Sequence, residues 1–211
     1  MSVVSRETVL SEAGFAERLS VSPEQRVRLR AYVELLGKWN KKINLVAAST
    51  LADVWRRHIL DSVQLLALLP PGTETLVDLG SGAGLPGLIL ALMGVPEVHL
   101  VESDTRKVAF LREAARITGT KLNIHAARIE AVDAIAADIV TARALAPLPG
   151  LLEYSSRFLK PGGSCYFLKG QRWTEEVAEA RRHWQFVFSE FPSLSEASSA
   201  VLKLESIVRE R

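Results

Sequence analysis

Thr75-Leu-Val-Asp-Leu-Gly-Ser-Gly-Ala-Gly-Leu-Pro-Gly87 decides the fold. A short apolar run, Leu76 to Leu79, carries Asp78 inside it, and Gly80, Gly82 and Gly84 follow at once. After Gly87 comes an apolar run of helical character, Leu88 to Met93. A buried strand therefore stops at a glycine-rich turn and a helix begins. Glycines let the backbone take positive φ and approach a ligand with no Cβ in the way. The helix N-terminus behind the turn offers free N–H groups, and Pro86 suits a first helical turn, where no donor is needed. Two cofactor patterns fit. Gly82, Gly84 and Gly87 satisfy the dinucleotide pattern G-x-G-x-x-G. Gly80, Gly82 and Gly84 satisfy the tighter D-x-G-x-G-x-G of S-adenosylmethionine (SAM) enzymes. A tight turn with no ligand would satisfy both.

Working outward, the chain alternates strand and helix on the C-terminal side. Strands are expected at 75–79, 98–102, 122–125, 138–142 and 164–168. Helices are expected at about 85–93, 105–118, 129–135 and 147–159, with a polar helix from Thr174 to about His183. Pro161-Gly162-Gly163 reads as a tight turn. Gln185 to Phe191 and Ala200 to Arg209 form an antiparallel hairpin around Pro192. This alternation predicts a doubly wound, mostly parallel α/β sheet of seven strands closed by that hairpin. Ligands of such sheets bind at the carboxyl ends of the strands, where the winding switches direction.

On the N-terminal side the pattern is helical. Residues 6–18 form a short amphipathic helix. Ser22-Pro23-Glu24-Gln25 is a capping box that opens a helix to about Asn40, with Val27, Leu29, Tyr32, Val33, Leu35, Leu36 and Trp39 as its apolar stripe. Trp39 to Leu45 is a turn or short extended piece. Ser49 or Thr50 caps a helix from Leu51 to Leu69, stopped by Pro70-Pro71-Gly72. Residues 1–72 are therefore a helical extension and 73–211 the α/β unit.

Composition narrows the partners. Hydrophobic residues are 48% of 211, which predicts a folded globule. A net charge of +2 says little, but from Arg18 to His58 nine Lys or Arg face three acids. Such an excess is the footprint of a nucleic-acid partner or a solvated face. The single cysteine, Cys165, lies in an apolar run and reads as a buried, inert thiol. No Cys/His set has zinc spacing, so no metal is expected. No signal-peptide pattern opens the chain and no apolar run has membrane-spanning length. A cytoplasmic, membrane-free monomer is expected.

At the strand ends, Glu102 can accept two hydrogen bonds from a ribose diol, which both NAD and SAM possess. The N–H of Ile129, with Glu130 beside it, can meet an adenine edge or simply open a helix. Arg143 lies one residue past its strand and can hold a phosphate, a base edge or an acidic partner. The closing hairpin and the Lys160-Pro-Gly-Gly163 turn favour SAM over NAD, against an NAD-dependent oxidoreductase.

Several stretches are more specific. Trp39-Asn-Lys-Lys-Ile-Asn-Leu45, Arg57-His-Ile-Leu-Asp-Ser62, Asp78 to Gly87, Lys107-Val-Ala-Phe-Leu-Arg112, Arg143-Ala-Leu-Ala-Pro-Leu148 and Leu168-Lys-Gly-Gln171 resemble the bacterial 16S rRNA guanine-N7 methyltransferases of the RsmG (GidB) family. The resemblance runs from about Ser22 to the C-terminus. It implies a Rossmann-like class I SAM-dependent methyltransferase that modifies N7 of guanine 527 in the 530 loop of small-subunit rRNA. It places cofactor contacts at Asp78, Gly80, Gly82, Gly84, Leu85, Glu102, Ile129, Glu130 and Arg143. Arg143 would also position the substrate. Lys41, Lys42, Arg57, His58, Lys169 and Arg172 are the expected RNA contacts, with His58 open to a packing role. Two other readings stand beside it: a SAM methyltransferase with another substrate, and a non-catalytic rRNA-binding or assembly factor on the same fold.

Overall fold

The computed structural model describes residues 9–19 and 21–210. Helix α1 (Glu12–Arg18) is capped by Ser11, whose hydroxyl accepts the Gly14 N–H at 3.1 Å. Residues 6–8 of the helix expected there lie outside the described residues. Helix α2 (Pro23–Asn40) opens on the expected capping box: Gln25 N–H reaches Ser22 Oγ at 3.1 Å, and Ser22 N–H reaches Gln25 Oε1 at 3.0 Å. Its buried stripe is Leu29, Tyr32 and Leu36. Val27, expected in that stripe, is 64% exposed. Two positions from Leu29 is about 200° around a helix, which turns Val27 to the opposite face.

The single helix expected from Leu51 to Leu69 is instead a chain of different turns. Residues Ala48–Asp53 are 3-10, Trp55–Leu60 are π, Asp61–Val63 are one α turn (α3), and Gln64–Ala67 are again 3-10. Side chains take over from the regular ladder here. Thr50 Oγ donates back to Ala47 O at 2.6 Å, and Asp53 accepts the N–H of Leu10 at 3.0 Å. Widened π turns are frequent at functional sites.

The sheet contains β1 (Thr75–Leu79), β2 (Glu97–Glu102), β3 (Asn123–Ala126), β4 (Ala137–Arg143), β5 (Leu159–Lys169), β6 (Trp184–Pro192) and β7 (Ala200–Arg209) in the order β3-β2-β1-β4-β5-β7-β6. The first five are parallel; β7 runs antiparallel to both β5 and β6. The doubly wound sheet with its closing hairpin is thus present, and the winding switches between β1 and β4. Four helices connect the strands: α4 (Gly87–Leu92), α5 (Thr105–Thr118), α6 (Leu148–Ser155) and α7 (Trp173–Ala180). The helix expected at 129–135 is only a 3-10 turn, Ile129–Ala131, and Pro161-Gly162-Gly163 is absorbed into a β5 that starts at Leu159, five residues early.

Period-2 alternation buries both faces of the sheet, as a parallel core requires. Leu76, Leu100, Ile139 and Tyr166 point to one face; Val77, Val101, Val140 and Phe167 to the other. The first face is covered by α4, α5 and the N-terminal helices, whose Phe15, Leu29, Tyr32 and Leu36 belong to the same apolar cluster. Cys165 lies on the second face, where burial pushes its thiol up to about 12. No described helix is long and apolar enough to cross a membrane.

Candidate functional site

The first half of the site is the turn between β1 and α4. Gly80, Gly82 and Gly84 have φ of +63°, +54° and +79°. Two of them need glycine for different reasons. At Gly84 a Cβ would lie 2.7 Å from Leu88 Cβ, so the turn is pressed against the helix that follows. At Gly82 the nearest atom to such a Cβ is 3.8 Å away, so this face is open to a ligand. The Gly82 N–H donates to Glu102 Oε2 at 2.9 Å, and Glu102 Oε1 accepts Asp104 N–H at 2.7 Å. The carboxylate at the end of β2 is thereby fixed beside the turn, with lone pairs left over. From below, the buried Tyr32 hydroxyl of α2 donates to Ala83 O at 2.7 Å. Leu85 is buried at the end of the turn.

Asp78 is fully buried under this turn. Its Oδ1 accepts the Thr141 hydroxyl at 2.8 Å, while Oδ2 is buried with no hydrogen bond. Burial pushes its carboxyl up to about 6, against the opposing Thr141 hydrogen bond. An under-satisfied buried oxygen at a strand end is the kind of group a ligand donor completes. Ile129 and Glu130 lie past the edge strand β3. Ile129 packs on the second face, Glu130 is exposed, and Arg157 ties down the Glu130 carbonyl at 2.9 Å.

The second half of the site surrounds Arg143, at the end of β4. Its Nη2 donates to His58 Nδ1 at 2.7 Å, and its Nη1 lies 3.1 Å from Asp61 Oδ2. Spacing of i and i+3 on one widened helical stretch brings His58 and Asp61 to the same guanidinium. The contact fixes the histidine's proton. An arginine only donates, so Nδ1 must accept and the ring proton must sit on Nε2. Nε2 lies 2.7 Å from Thr50 Oγ, which hands its own proton to Ala47 O. His58 is therefore a neutral relay, and burial with the nearby Arg143 and Arg57 charges lowers it to about 3. Asp61 Oδ1 accepts from Ser195 Oγ at 2.6 Å and Gln64 Nε2 at 3.0 Å, which ties the β6–β7 loop to the N-terminal segment. The next residue, Ala144, has φ +53°. Left-handed alanine is strained, and such strain concentrates at functional sites.

On the Arg143 side lies a cleft of about 420 Å³, lined among others by Arg57, Asp61, Arg143, Lys169, Glu176 and Glu196. That is within the usual range of small-molecule sites, about 300–1,000 Å³. Arg57 and Glu196 form an ion pair at its wall.

The arrangement corrects one expected RNA contact, His58, and moves another, Lys169, from an outer RNA-facing surface into the cleft. His58 is 2% exposed with both ring nitrogens engaged, so it holds Arg143 and cannot reach an RNA surface directly. Lys169 is buried, bonded to Ala146 O at 3.0 Å and to Glu176 at 2.5 Å, so it belongs to the floor of the cleft. Lys41 and Lys42 are exposed, on a turn that Asn40 builds by accepting the N–H groups of Leu45 and Val46, both at 2.9 Å. Arg172 is exposed and paired with Glu175. Of the other N-terminal cations, Arg26 and Arg30 both bind Glu12, and Arg28 donates to Thr118 O at 2.6 Å. Sequence reasoning missed Asp61, Glu176, Tyr32 and Thr141. Only Asp61 had a usable signal, its i+3 spacing from His58.

The fold resembles a putative transferase from Pyrococcus horikoshii, with TM-score 0.58 at 15% identity over 81% of this chain and 67% of that one. It also resembles a ribosomal protein L11 methylase from Lactobacillus delbrueckii subsp. bulgaricus, with TM-score 0.54 at 19% identity over 71% and 79%. These likenesses concern the fold, that of class I methyltransferases. In sequence, the chain is 57% identical to the ribosomal RNA small subunit methyltransferase G of Rhodospirillum centenum, covering 92% of this chain and 89% of that protein. It is 51% identical to the protein of the same name in Rhodospirillum rubrum, over 95% and 100%. The family model for rRNA small subunit methyltransferase G matches residues 25–201, and the chain belongs to that family, GidB.

Proposed function

We propose that this protein methylates 16S rRNA with SAM, at N7 of guanine 527 in the 530 loop. It would act as a cytoplasmic monomer on the small subunit or an assembly intermediate. The observation that carries the reading is the pairing of two halves across one switch point. A glycine turn with a fixed carboxylate stands on one side, and an arginine locked by a neutral histidine on the other. The residues fit the cofactor chemically. Gly82 leaves room at the turn, Glu102 has lone pairs for a ribose diol, and Asp78 Oδ2 is a buried acceptor without a donor. Gly80, Gly84 and Leu85 shape the turn, while Ile129 and Glu130 would meet the adenine. Arg143 would face both cofactor and acceptor.

Bound SAM supplies a methyl group already activated by its sulfonium charge. Guanine N7 has an in-plane lone pair and no proton to lose, so no general base is needed. The protein's task is alignment, for which effective molarities on the order of 10⁵ M are available. His58, Thr50 and Asp61 keep Arg143 in one orientation, and the rigid turn fixes the donor side. The helical extension, residues 1–72, would grip RNA through Lys41 and Lys42, with Arg57 and Arg172 nearer the cleft. Bases that can be splayed from single-stranded loops are the usual targets of such enzymes.

Mapping of N7-methylguanine in small-subunit rRNA, by mass spectrometry in cells with and without the protein, tests this. Loss at one guanine in the 530 loop is the expected result. An unchanged map, or loss at another base, overturns it. An Arg143→Ala enzyme with full rRNA methylation and normal SAM affinity would remove Arg143 from the mechanism.

A further inference from the structure

We propose that Lys169 and Glu176 select the acceptor base, by presenting a donor and an acceptor side by side to the O6 and N1–H of guanine. The inference rests on the guanine reading above and adds the residues that enforce it. Both side chains line the cleft that also holds Arg143. Lys169 ends β5; Glu176 lies in the first turn of α7.

Their bonding leaves one group of each kind unused. A lysine ammonium has three N–H donors. One goes to Ala146 O at 3.0 Å and one to Glu176 Oε2 at 2.5 Å, so the third has no partner among the described residues. Glu176 Oε2 also accepts the Leu148 N–H, at 2.8 Å, at the start of α6. Among the described residues no hydrogen bond reaches Glu176 Oε1. The ion pair is thus anchored on the β4–α6 loop, α6 and α7 together. Its lysine side chain is only 8% exposed and its carboxylate 22%. A rigid, largely desolvated pair reads a ligand edge far better than a surface pair does.

The pattern of donor then acceptor matches one purine and opposes the other. Guanine offers an O6 acceptor next to an N1–H donor. Adenine offers an N6 amino donor next to an N1 lone pair, so each contact is reversed. A buried group facing a like partner rejects the wrong base as strongly as a matched one holds the right base. Engaging the O6/N1 edge also leaves N7 unobstructed as the nucleophile.

GMP, IMP and AMP distinguish the contacts. Inosine keeps O6 and N1–H and lacks only the 2-amino group. With the full-length protein and S-adenosylhomocysteine present, direct binding of the three nucleotides should give GMP and IMP similar affinity and AMP affinity at least about 10-fold weaker. In Glu176→Gln, an amide oxygen can still take the Leu148 N–H, while its NH₂ faces N1. The preference for GMP over AMP should collapse about 10-fold or more, with S-adenosylhomocysteine affinity unchanged. Lys169→Met should lower GMP and IMP binding together. A role confined to packing would lower the melting temperature and all three affinities in step, with the GMP/AMP ratio intact, and that result overturns the proposal. So does a wild-type protein that binds GMP no better than AMP. Methyl transfer to small subunits from cells lacking the protein reports separately on the guanine reading itself.

Discussion

On the β1–β2 side of the switch point, the polar contacts run through the backbone: Gly82 N–H to Glu102, Asp104 N–H to Glu102, and Tyr32 to the Ala83 carbonyl. On the β4–β5 side they run from side chain to side chain. Arg143 meets His58 across 85 positions of sequence, and Asp61 meets Ser195 across 134. A site whose donors are mostly backbone N–H groups is stiff, and those donors do not titrate. One made of titratable side chains is adjustable, and it fails when a proton arrives. Two buried ionisable groups, His58 and Asp78, sharpen the contrast because they respond to pH in opposite directions.

His58 should give the largest effect. Its ordinary value of 6.5 falls to about 3 in the folded protein. Between those values the folded state binds fewer protons than the unfolded state, so acid favours unfolding. The full shift corresponds to up to about 5 kcal/mol lost as pH falls from 6.5 to 3. His58→Asn keeps an acceptor toward Arg143 and cannot titrate, so urea unfolding across this range should show a flatter pH profile. His58→Leu should leave Arg143 Nη2 without its acceptor, cost about 1–3 kcal/mol at pH 7 and reduce kcat while sparing the fold. An unchanged acid limb in His58→Asn would mean that the relay is not what acid breaks.

Gly84→Ala attacks the other side through sterics alone. Left-handed φ costs alanine about 1–2 kcal/mol. Contact with Leu88 Cβ at 2.7 Å adds an overpacking cost of about 1–3 kcal/mol. Thermal unfolding should register the sum at every pH, and cofactor binding should weaken with it. A pH-dependent loss would contradict the division between the two sides.

Asp78 tests the same division with a smaller effect and the reverse sign. Its carboxyl rises from 3.8 to about 6 on folding, because burial outweighs the Thr141 hydroxyl. The folded state therefore binds more protons between pH 4 and 6, and stability falls as pH rises through that window. Asp78→Asn keeps an acceptor for Thr141. It should be more stable than the parent above pH 6, by up to about 3 kcal/mol, and equal to it below about pH 4. A stabilised variant with weakened cofactor binding would identify Asp78 as a group kept at the expense of stability.

The same contrast explains what the sequence made legible. The glycine turn, Asp78 and Glu102 depend on local spacing, and a strand-turn-helix pattern puts them at one strand end. The doubly wound class of the sheet and its closing hairpin also follow from local alternation and turn residues. Nothing local says that Lys169 is buried against Glu176 or that His58 faces Arg143. Those pairings arise only when β4, β5 and the N-terminal helices meet. The broken helix of 48–67 was hidden for the same reason: its apolar pattern is helical, and the bonds that distort it go to Leu10, Arg143 and Ser195. Charge counting misled in a similar way, since Glu12 alone occupies both Arg26 and Arg30.

That last point defines the smallest expected effect. Lys41 and Lys42 are exposed and make no ion pair among the described residues, and Asn40 holds their turn in place. They are therefore ready to release counterions from RNA without first breaking a contact. Each phosphate neutralised contributes about 0.7 to 0.9 to the dependence of log affinity on log salt. Lys41→Glu with Lys42→Glu should make that slope shallower by about 1.4 or more, while folding and SAM affinity stay at the parent's level. Reversing Arg26 and Arg30 should do the opposite: it strands Glu12, lowers the melting temperature and leaves the slope nearly unchanged. If the slope follows Arg26 and Arg30 instead, RNA must pull them from Glu12 on binding. The N-terminal helices would then join the adjustable side of the molecule, not the rigid one.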